Sequence, residues 1–312
     1  MKAIIVAQPG GVENLVHTQI ETPVIGDNEV LVQVKAISIN PVDVKTRAGK
    51  GMYGRLKTFS PLILGWDISG VVTASNSAQF KAGDEVFGMV NFPGHGKAYA
   101  EYVAAPAAHL ALKPANISHE EAAAATLAPL TVLQTLVQFG QVKAGQRVLI
   151  HAAAGGVGHY AVQIAKHLGA YVIGTSSAAN RDFVLSLGAD EHIDYRSQQF
   201  EKVVSNIDFV LDTIGGDNID RSLEVIKPGG TLVSIPSGLS EQVTEKAKAK
   251  GIRGAFILVQ SNGEDMKTLA DLLAQGKLRS HVSQTFPFAE MDQAHLQIES
   301  GRTVGKVVVM IN

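Results

Sequence analysis

The run AAAGGVG, residues 152–158, places three glycines within four positions between an apolar segment, RVLIHA, and an amphipathic one, HYAVQIAKHLG. That order reads as strand, turn and helix. The free N–H groups and dipole at such a helix N-terminus attract a dinucleotide pyrophosphate. Gly155 stands where the backbone must approach the phosphates, and Gly158 where helix and strand pack closely. Ala154, Gly156 and Val157 complete the turn expected to touch the cofactor. Ala153 replaces the first glycine of G-x-G-x-x-G, a position that serves only the tight turn and tolerates alanine if its backbone angles stay permitted. The competing reading is an ordinary strand–helix loop with glycines for packing.

The residues beyond the turn favour the cofactor. Some twenty residues on, where a bare ribose 2'-hydroxyl would be met by an acidic residue, the chain has GTSSAANR. The hydroxyls of Thr175 and Ser176 and the guanidinium of Arg181 suit a 2'-phosphate, so NADPH (NADP) is expected over NADH. The alternative for Arg181 is a solvated residue in the first turn of a helix, where a cation is electrostatically disfavoured.

The bulk of the chain sets the frame for this chemistry. At 312 residues two domains are expected. A formal net charge of -2 with no block of like charge gives no footprint for nucleic acid or an anionic membrane. The absence of cysteine excludes disulfides, thiolate zinc sites, iron–sulfur clusters and a cysteine nucleophile, and fits a reducing compartment. The N-terminal apolar run is too short for a signal peptide, and no segment reads as the roughly 18 apolar residues of a membrane span, so a cytoplasmic protein is expected.

Up to about Asn116 the sequence consists of β-branched or alternating runs cut by Gly, Pro, Asn and Asp, which predicts a β-rich first domain. Ser118 and Glu121 have capping-box spacing and open an Ala/Leu-rich helix through Phe139, with Pro129 a break or kink. Beyond Gln146 short apolar strands alternate with amphipathic helices, the signature of a doubly wound parallel sheet. The tail resumes β-like material that is expected to return to the first domain. The predicted α/β organisation is 1–117 completed by 261–312, and 118–260.

The segments SINPVDVKTRAG, LGWDISGVV, FKAGDEVFG, GKAYAEYV, AAAATLAPLTVLQTL, AAAGGVGHYAVQIAKHLGA, LGADEHIDY, DTIGG and GKVVV occur in that order along essentially the whole length. In them the chain resembles the zinc-independent medium-chain dehydrogenase/reductases of the quinone oxidoreductase-like branch, and within it the NADPH-dependent alkenal/one oxidoreductases. The resemblance implies a GroES-like catalytic domain and a Rossmann NADPH-binding domain with the substrate cleft between them. In zinc-containing relatives a cysteine ligand stands at the place of Asn40 and a histidine at that of Trp66, and neither residue here can be that ligand. The ten histidines offer no H-x-x-x-H pair, so no metal is expected.

Hydride addition to the β-carbon of an enone pushes electrons onto its carbonyl oxygen, and donors must already surround that oxygen. Asn40, Lys45 and Tyr53 are the nearby groups the resemblance implies. Lys45 is the first choice for the carbonyl oxygen; otherwise it is a snorkelling lysine paired to Asp43 or Asp67. Asp43 reads as structural. Tyr53 either delivers or orients a proton or sits on a flexible lip, and solvent is the other proton source. The resemblance also implies Thr131 near the nicotinamide ribose, Ser176 and Tyr195 at the 2'-phosphate, and Asp212, Thr213, Ser234, Ile235 and Pro236 at strand ends facing the cofactor. Tyr195 is alternatively a core tyrosine, and 234–236 an ordinary strand end. The basic residue that many relatives place on the 2'-phosphate aligns with Asn180, with Arg181 one position on.

Trp66, Phe92, Phe256 and Leu258 either wall a pocket for a small hydrophobic enone, enal or quinone or belong to the core. The apolar edge strand AFILVQ needs covering, which predicts a homodimer. The rival functions are a quinone reductase and a non-catalytic NADPH-binding structural or regulatory protein.

Overall fold

The computed structural model describes residues 1–311. Its strands are β1 (Lys2–Val6), β2 (Leu15–Gln19), β3 (Glu29–Ile39), β4 (Asp67–Ser75), β5 (Glu85–Met89), β6 (Tyr102–Pro106), β7 (Leu110–Leu112), β8 (Arg147–Ile150), β9 (Tyr171–Ser176), β10 (Glu191–Asp194), β11 (Ile207–Asp212), β12 (Ile226–Ser234), β13 (Arg253–Phe256), β14 (Val282–Pro287) and β15 (Lys306–Met310). The chain forms two compact units, Met1–Leu130 with Val259–Asn312, and Thr131–Leu258.

In the first unit the sheet runs β14-β15-β3-β4-β5-β7, with β6 also on β3 and β1-β2 a separate pair. Alternation in EVLVQVKAISI turns Val30, Val32, Val34 and Ala36 inward. The C-terminal strand β15 closes antiparallel on β3, so the tail completes this unit. The expected boundary at 117/118 is displaced to 130/131 because the helix His119–Ala124 packs on β3, β4 and β15. That helix begins with the capping box, Ser118 N–H donating to Glu121 and Glu121 N–H to Ser118 Oγ at 2.9 and 3.2 Å. It breaks at 125–126, ahead of Pro129, which sits in the first turn of the next helix, Leu127–Val132, where a missing N–H costs nothing.

No membrane-length segment is expected from the sequence, but the helical run His119–Phe139 is long and apolar enough to cross one by composition alone. Its apolar 18-residue window is 83% buried inside the protein, as a core helix is.

The second unit is a six-stranded parallel sheet, β10-β9-β8-β11-β12-β13. Its first strand in sequence, β8, is central, and the strand order reverses between β8 and β11. In open α/β sheets that switch point, at the carboxyl ends of the strands, is where nucleotides bind. Leu149, Ile173, Ile193, Val210 and Leu232 of the sheet share a core with Ile219 and Val243 of the helices and with Leu223, which follows the helix Asp217–Ser222. The expected edge strand AFILVQ is shorter than the sequence suggests, since β13 ends at Phe256.

Candidate active site

The glycine turn joins β8 to the helix Gly158–His167. A Cβ on Gly158 would collide with the Ala152 carbonyl and lie 2.7 Å from Ala153 Cα, so only glycine lets this helix start against the turn. At Gly155 the same test leaves 3.2 Å to Ala152 O, a close approach that asks the neighbour to give by a few tenths of an ångström but is far milder than at Gly158. The left-handed residue is Ala152, with φ of 47°, one place ahead of the position singled out in the sequence. Ala153 instead donates its N–H to Thr175 O at 2.8 Å, tying the turn to β9. A left-handed alanine costs about 1 kcal/mol. Gly174 was missed: a side chain there would meet Val184 Cγ1 at 2.7 Å and Ala153 Cβ at 2.8 Å.

At the ends of β9 and β10 the strand pleat separates the two hydroxyls. Ser176 Oγ lies 2.8 Å from His192 Nε2. Thr175 Oγ1 faces the other way, 3.1 Å from buried His151, which reaches Ser222 with its second nitrogen. Thr175 therefore drops out of the 2'-phosphate set. Arg181 is exposed at the start of the helix Arg181–Ser186, within 3.6 Å of Asp182. Tyr195 is 57% exposed, which excludes a core role, and the Arg196 guanidinium lies 5.8 Å from its ring. Asp194, opposite Ser176 in register, is held by Ala178 N–H, Arg196 N–H and Ser197 Oγ. Ser176, Arg181, His192, Tyr195 and Arg196 thus lie at or just beyond the carboxyl ends of β9 and β10, around the Asp194 carboxylate, and are donors of the kind a phosphate monoester takes. Sequence reasoning missed His192 and Arg196; alternation along EHIDYR was the available signal.

Asp212 is wholly buried and accepts from Ile214 N–H, Gly215 N–H, Asn218 Nδ2 and Ser234 Oγ at 2.8–3.3 Å. Thr213 Oγ1 donates to His151 O at 2.8 Å. Their side chains build the turn at the switch point, and Ile235 N–H donates to Asp212 O at 3.1 Å, which ties the end of β12 to the end of β11. Thr131 is buried, its carbonyl accepting from Thr135 Oγ1 at 2.8 Å as the chain enters the π-helical stretch Leu133–Phe139.

In the first unit, the helix Pro41–Arg47 carries Lys45 on its exposed face and Asp43, Thr46 and Arg47 on its buried one. The following segment folds back on it: Lys50 N–H donates to Lys45 O at 2.8 Å and Met52 N–H to Thr46 Oγ1 at 3.1 Å. Tyr53, half-buried, opens the next short helix, Tyr53–Leu56, so it belongs to the same local patch as Lys45. Asn40 does not offer donors outward. Lys306 Nζ donates to Asn40 Oδ1, and because an ammonium only donates, the amide nitrogen is the atom pointing to Asp67 Oδ2 at 2.7 Å and Ser38 O at 3.5 Å. Its part is to hold a buried cluster together.

Three ionisable groups share that cluster with the Asn40 amide. Asp43 and Asp67 are fully buried and Lys306 nearly so. Burial and then the charge of Asp67 raise the Asp43 carboxyl to about 7, against the N–H of Asn40 and the charge of Lys306. Burial likewise raises Asp67 to about 6, with Lys306 and Asn40 opposing. Burial pulls the Lys306 ammonium below the usual lysine range. The lysine near these carboxylates is thus Lys306, not Lys45. A second arm leads outward: Arg47 donates to His295 Nδ1 at 3.2 Å and pairs with Glu299. His295, which burial holds neutral with a pKa of about 3, then carries its proton on Nε2 and donates to Tyr99 Oη at 2.8 Å, freeing the Tyr99 O–H for Asp43.

Trp66 and Phe92 are core residues: Trp66 Nε1 donates to Gly94 O at 2.7 Å and the rings meet edge-on at 5.1 Å. Phe256 is 43% exposed opposite Ser234 on β13, and Leu258 is half-buried.

Comparison with known proteins agrees with this architecture. Residues 26–115 match the alcohol dehydrogenase GroES-like domain family and residues 187–309 the family described as zinc-binding dehydrogenase. The chain is 35% identical to the NADPH-dependent alkenal/one oxidoreductase of Arabidopsis thaliana, over 99% of this chain and 79% of that protein. The quinone oxidoreductase of Coxiella burnetii superposes with a TM-score of 0.94 at 39% identity, covering 100% of this chain and 99% of that one. The chain belongs to the quinone oxidoreductase-like medium-chain dehydrogenase/reductase family. It is an oxidoreductase of that type. A third relative of the family, the Escherichia coli quinone oxidoreductase complexed with NADPH, has a TM-score of 0.89 at 29% identity, each chain wholly covered.

The second family's description raises zinc, and the residues do not fit it. Asn40 and Trp66 stand at the two ligand places, the first bonded to a lysine ammonium and the second to a backbone carbonyl. The Asn40 side chain is thus already engaged by a buried ammonium, and no group of three or more His, Cys, Asp or Glu side chains able to hold a metal occurs among the described residues.

Proposed function

We propose that this oxidoreductase uses NADPH to reduce the C=C bond of small α,β-unsaturated carbonyl compounds without zinc. The observation that carries the reading is the likeness to the alkenal/one oxidoreductase over 99% of the chain. The phosphate-monoester donor set on β9 and β10 supports NADPH, and the 2-methylene-furan-3-one reductase of Solanum lycopersicum, 33% identical over 99% of this chain and 79% of that protein, is a second enone-type relative.

Bound NADPH supplies the hydride. Charge then gathers on the substrate carbonyl oxygen, and the ammonium of Lys45, always a donor and held on a helix fixed at both ends, is the group assigned to meet it. Tyr53 is assigned to orient the proton for the α-carbon, with solvent as its source. Asn40 and Lys306 keep the helix start in place. Quinone reduction is the second reading, supported by 39% identity to the Coxiella burnetii protein. The open edge of β13, bearing exposed Phe256, is assigned to pairing with a second copy of this chain.

The test is to follow NADPH and NADH oxidation in parallel with enones, enals, quinones and simple aldehydes. Saturated carbonyl products with NADPH are expected. Fast turnover of quinones alone favours the second reading, and alcohols as products contradict both.

A further inference from the structure

Within the phosphate-fitted edge, His192 is the group whose charge can change near neutral pH. It lies on β10 with its Nε2 at 2.8 Å from Ser176 Oγ. The charged groups around it are Arg181 on the helix packed over β10, which disfavours its protonation, and Asp194 on its own strand, which favours it; burial is the larger influence and holds its pKa below the ordinary histidine value. Asp182 is paired with Arg181, and neighbouring Glu191 receives the Tyr171 hydroxyl at 2.7 Å and lies 3.9 Å from Arg147. Ser176 has a single hydroxyl proton, which is placed to reach Ser177 O at 3.2 Å or His192. In the neutral Nδ1–H tautomer, the Nε2 lone pair competes with a phosphate for that proton. An imidazolium does the reverse: it donates into Ser176 Oγ and leaves the hydroxyl proton for the phosphate oxygen, while its own charge faces the dianion.

We propose that His192 is a specificity-determining residue of this edge, taking up a proton as the 2'-phosphate of NADPH binds and so favouring NADPH over NADH increasingly as pH falls. This rests on the NADPH reading above. A bound dianion raises a histidine that starts below its ordinary value, so affinity is greatest on the acid side and declines as pH rises through the bound-state pKa.

The test is a direct binding titration of both nucleotides, without any acceptor, at about pH 6.5 and about pH 8. The wild-type chain is expected to bind NADPH roughly fivefold more tightly at the lower pH and NADH with under about twofold change. His192→Gln should flatten the NADPH dependence, and His192→Lys, a fixed cation, should restore tight binding at the higher pH with no slope. The same NADPH slope in wild type and both variants, with NADPH still preferred, overturns the role of His192 alone. Equal wild-type affinity for NADPH and NADH at both pH values overturns the cofactor reading and this proposal with it.

Discussion

At the scale of single residues, a buried ammonium and an exposed one divide the work. Lys306 is buried near Asp43 and Asp67, whose charges it influences, and fixes the Asn40 amide, whereas Lys45 lies on the exposed face of the helix Pro41–Arg47. Lys45→Met is therefore expected to lower kcat on the order of a hundredfold while leaving NADPH affinity within about twofold, because only the developing oxyanion loses a donor. An unchanged kcat removes its assigned role. Lys306→Met should act on stability. Both carboxyls are raised above their unfolded values, to about 7 and about 6, so their burial is cheapest in acid and grows costlier as pH rises through that range. Without the ammonium they move further up. Denaturant unfolding should show a loss of about 3–5 kcal/mol at about pH 8 and clearly less at about pH 6. An equal loss at both would show that packing, not charge, is what Lys306 contributes.

At the scale of elements, the strand–turn–helix around the glycines was legible in the sequence because period and turn chemistry are local. The 2'-phosphate edge was half legible. Ser176 ends β9, Arg181 opens the next helix and Tyr195 follows β10 on the exposed side, but the pleat sends Thr175 into the core, and His192 joins from a strand that pairs only in three dimensions. Asp212 and Ser234 were placed correctly at strand ends, yet their side chains serve the turn, since nothing local reveals that four donors converge on one carboxylate. Asn40 failed as an outward donor for a similar reason: its partner Lys306 comes from the far end of the chain. The glycine turn yields its own prediction. Gly158→Ala places a methyl against Ala152 O and Ala153 Cα and should destabilise the second unit by about 3 kcal/mol with loss of nucleotide binding. Gly155→Ala meets Ala152 O at 3.2 Å, so a small backbone shift is needed, and it should cost about 1 kcal/mol of stability, less than Gly158→Ala, while still weakening binding where the backbone must approach the phosphates. Thermal unfolding and nucleotide titration of the two variants separate these effects; equal destabilisation would contradict the close-packing argument.

At the scale of the molecule, each unit contributes a different chemical competence. The parallel sheet offers a switch point, a glycine turn and a phosphate-fitted edge. The first unit, completed by its returning C-terminal strands, offers a helix bearing an exposed cation, with a buried lysine bonded to Asn40 at its start. The membership of the chain in its family follows from the whole length, while the choice of acceptor depends on how charge is handled at one carbonyl oxygen. The most direct measurement supplies NADPH deuterated at the transferring position of the nicotinamide and a simple enone, then locates the label in the product. The account predicts a saturated ketone with deuterium on the former β-carbon. Deuterium on the carbinol carbon of an alcohol, or an unlabelled product, would contradict it.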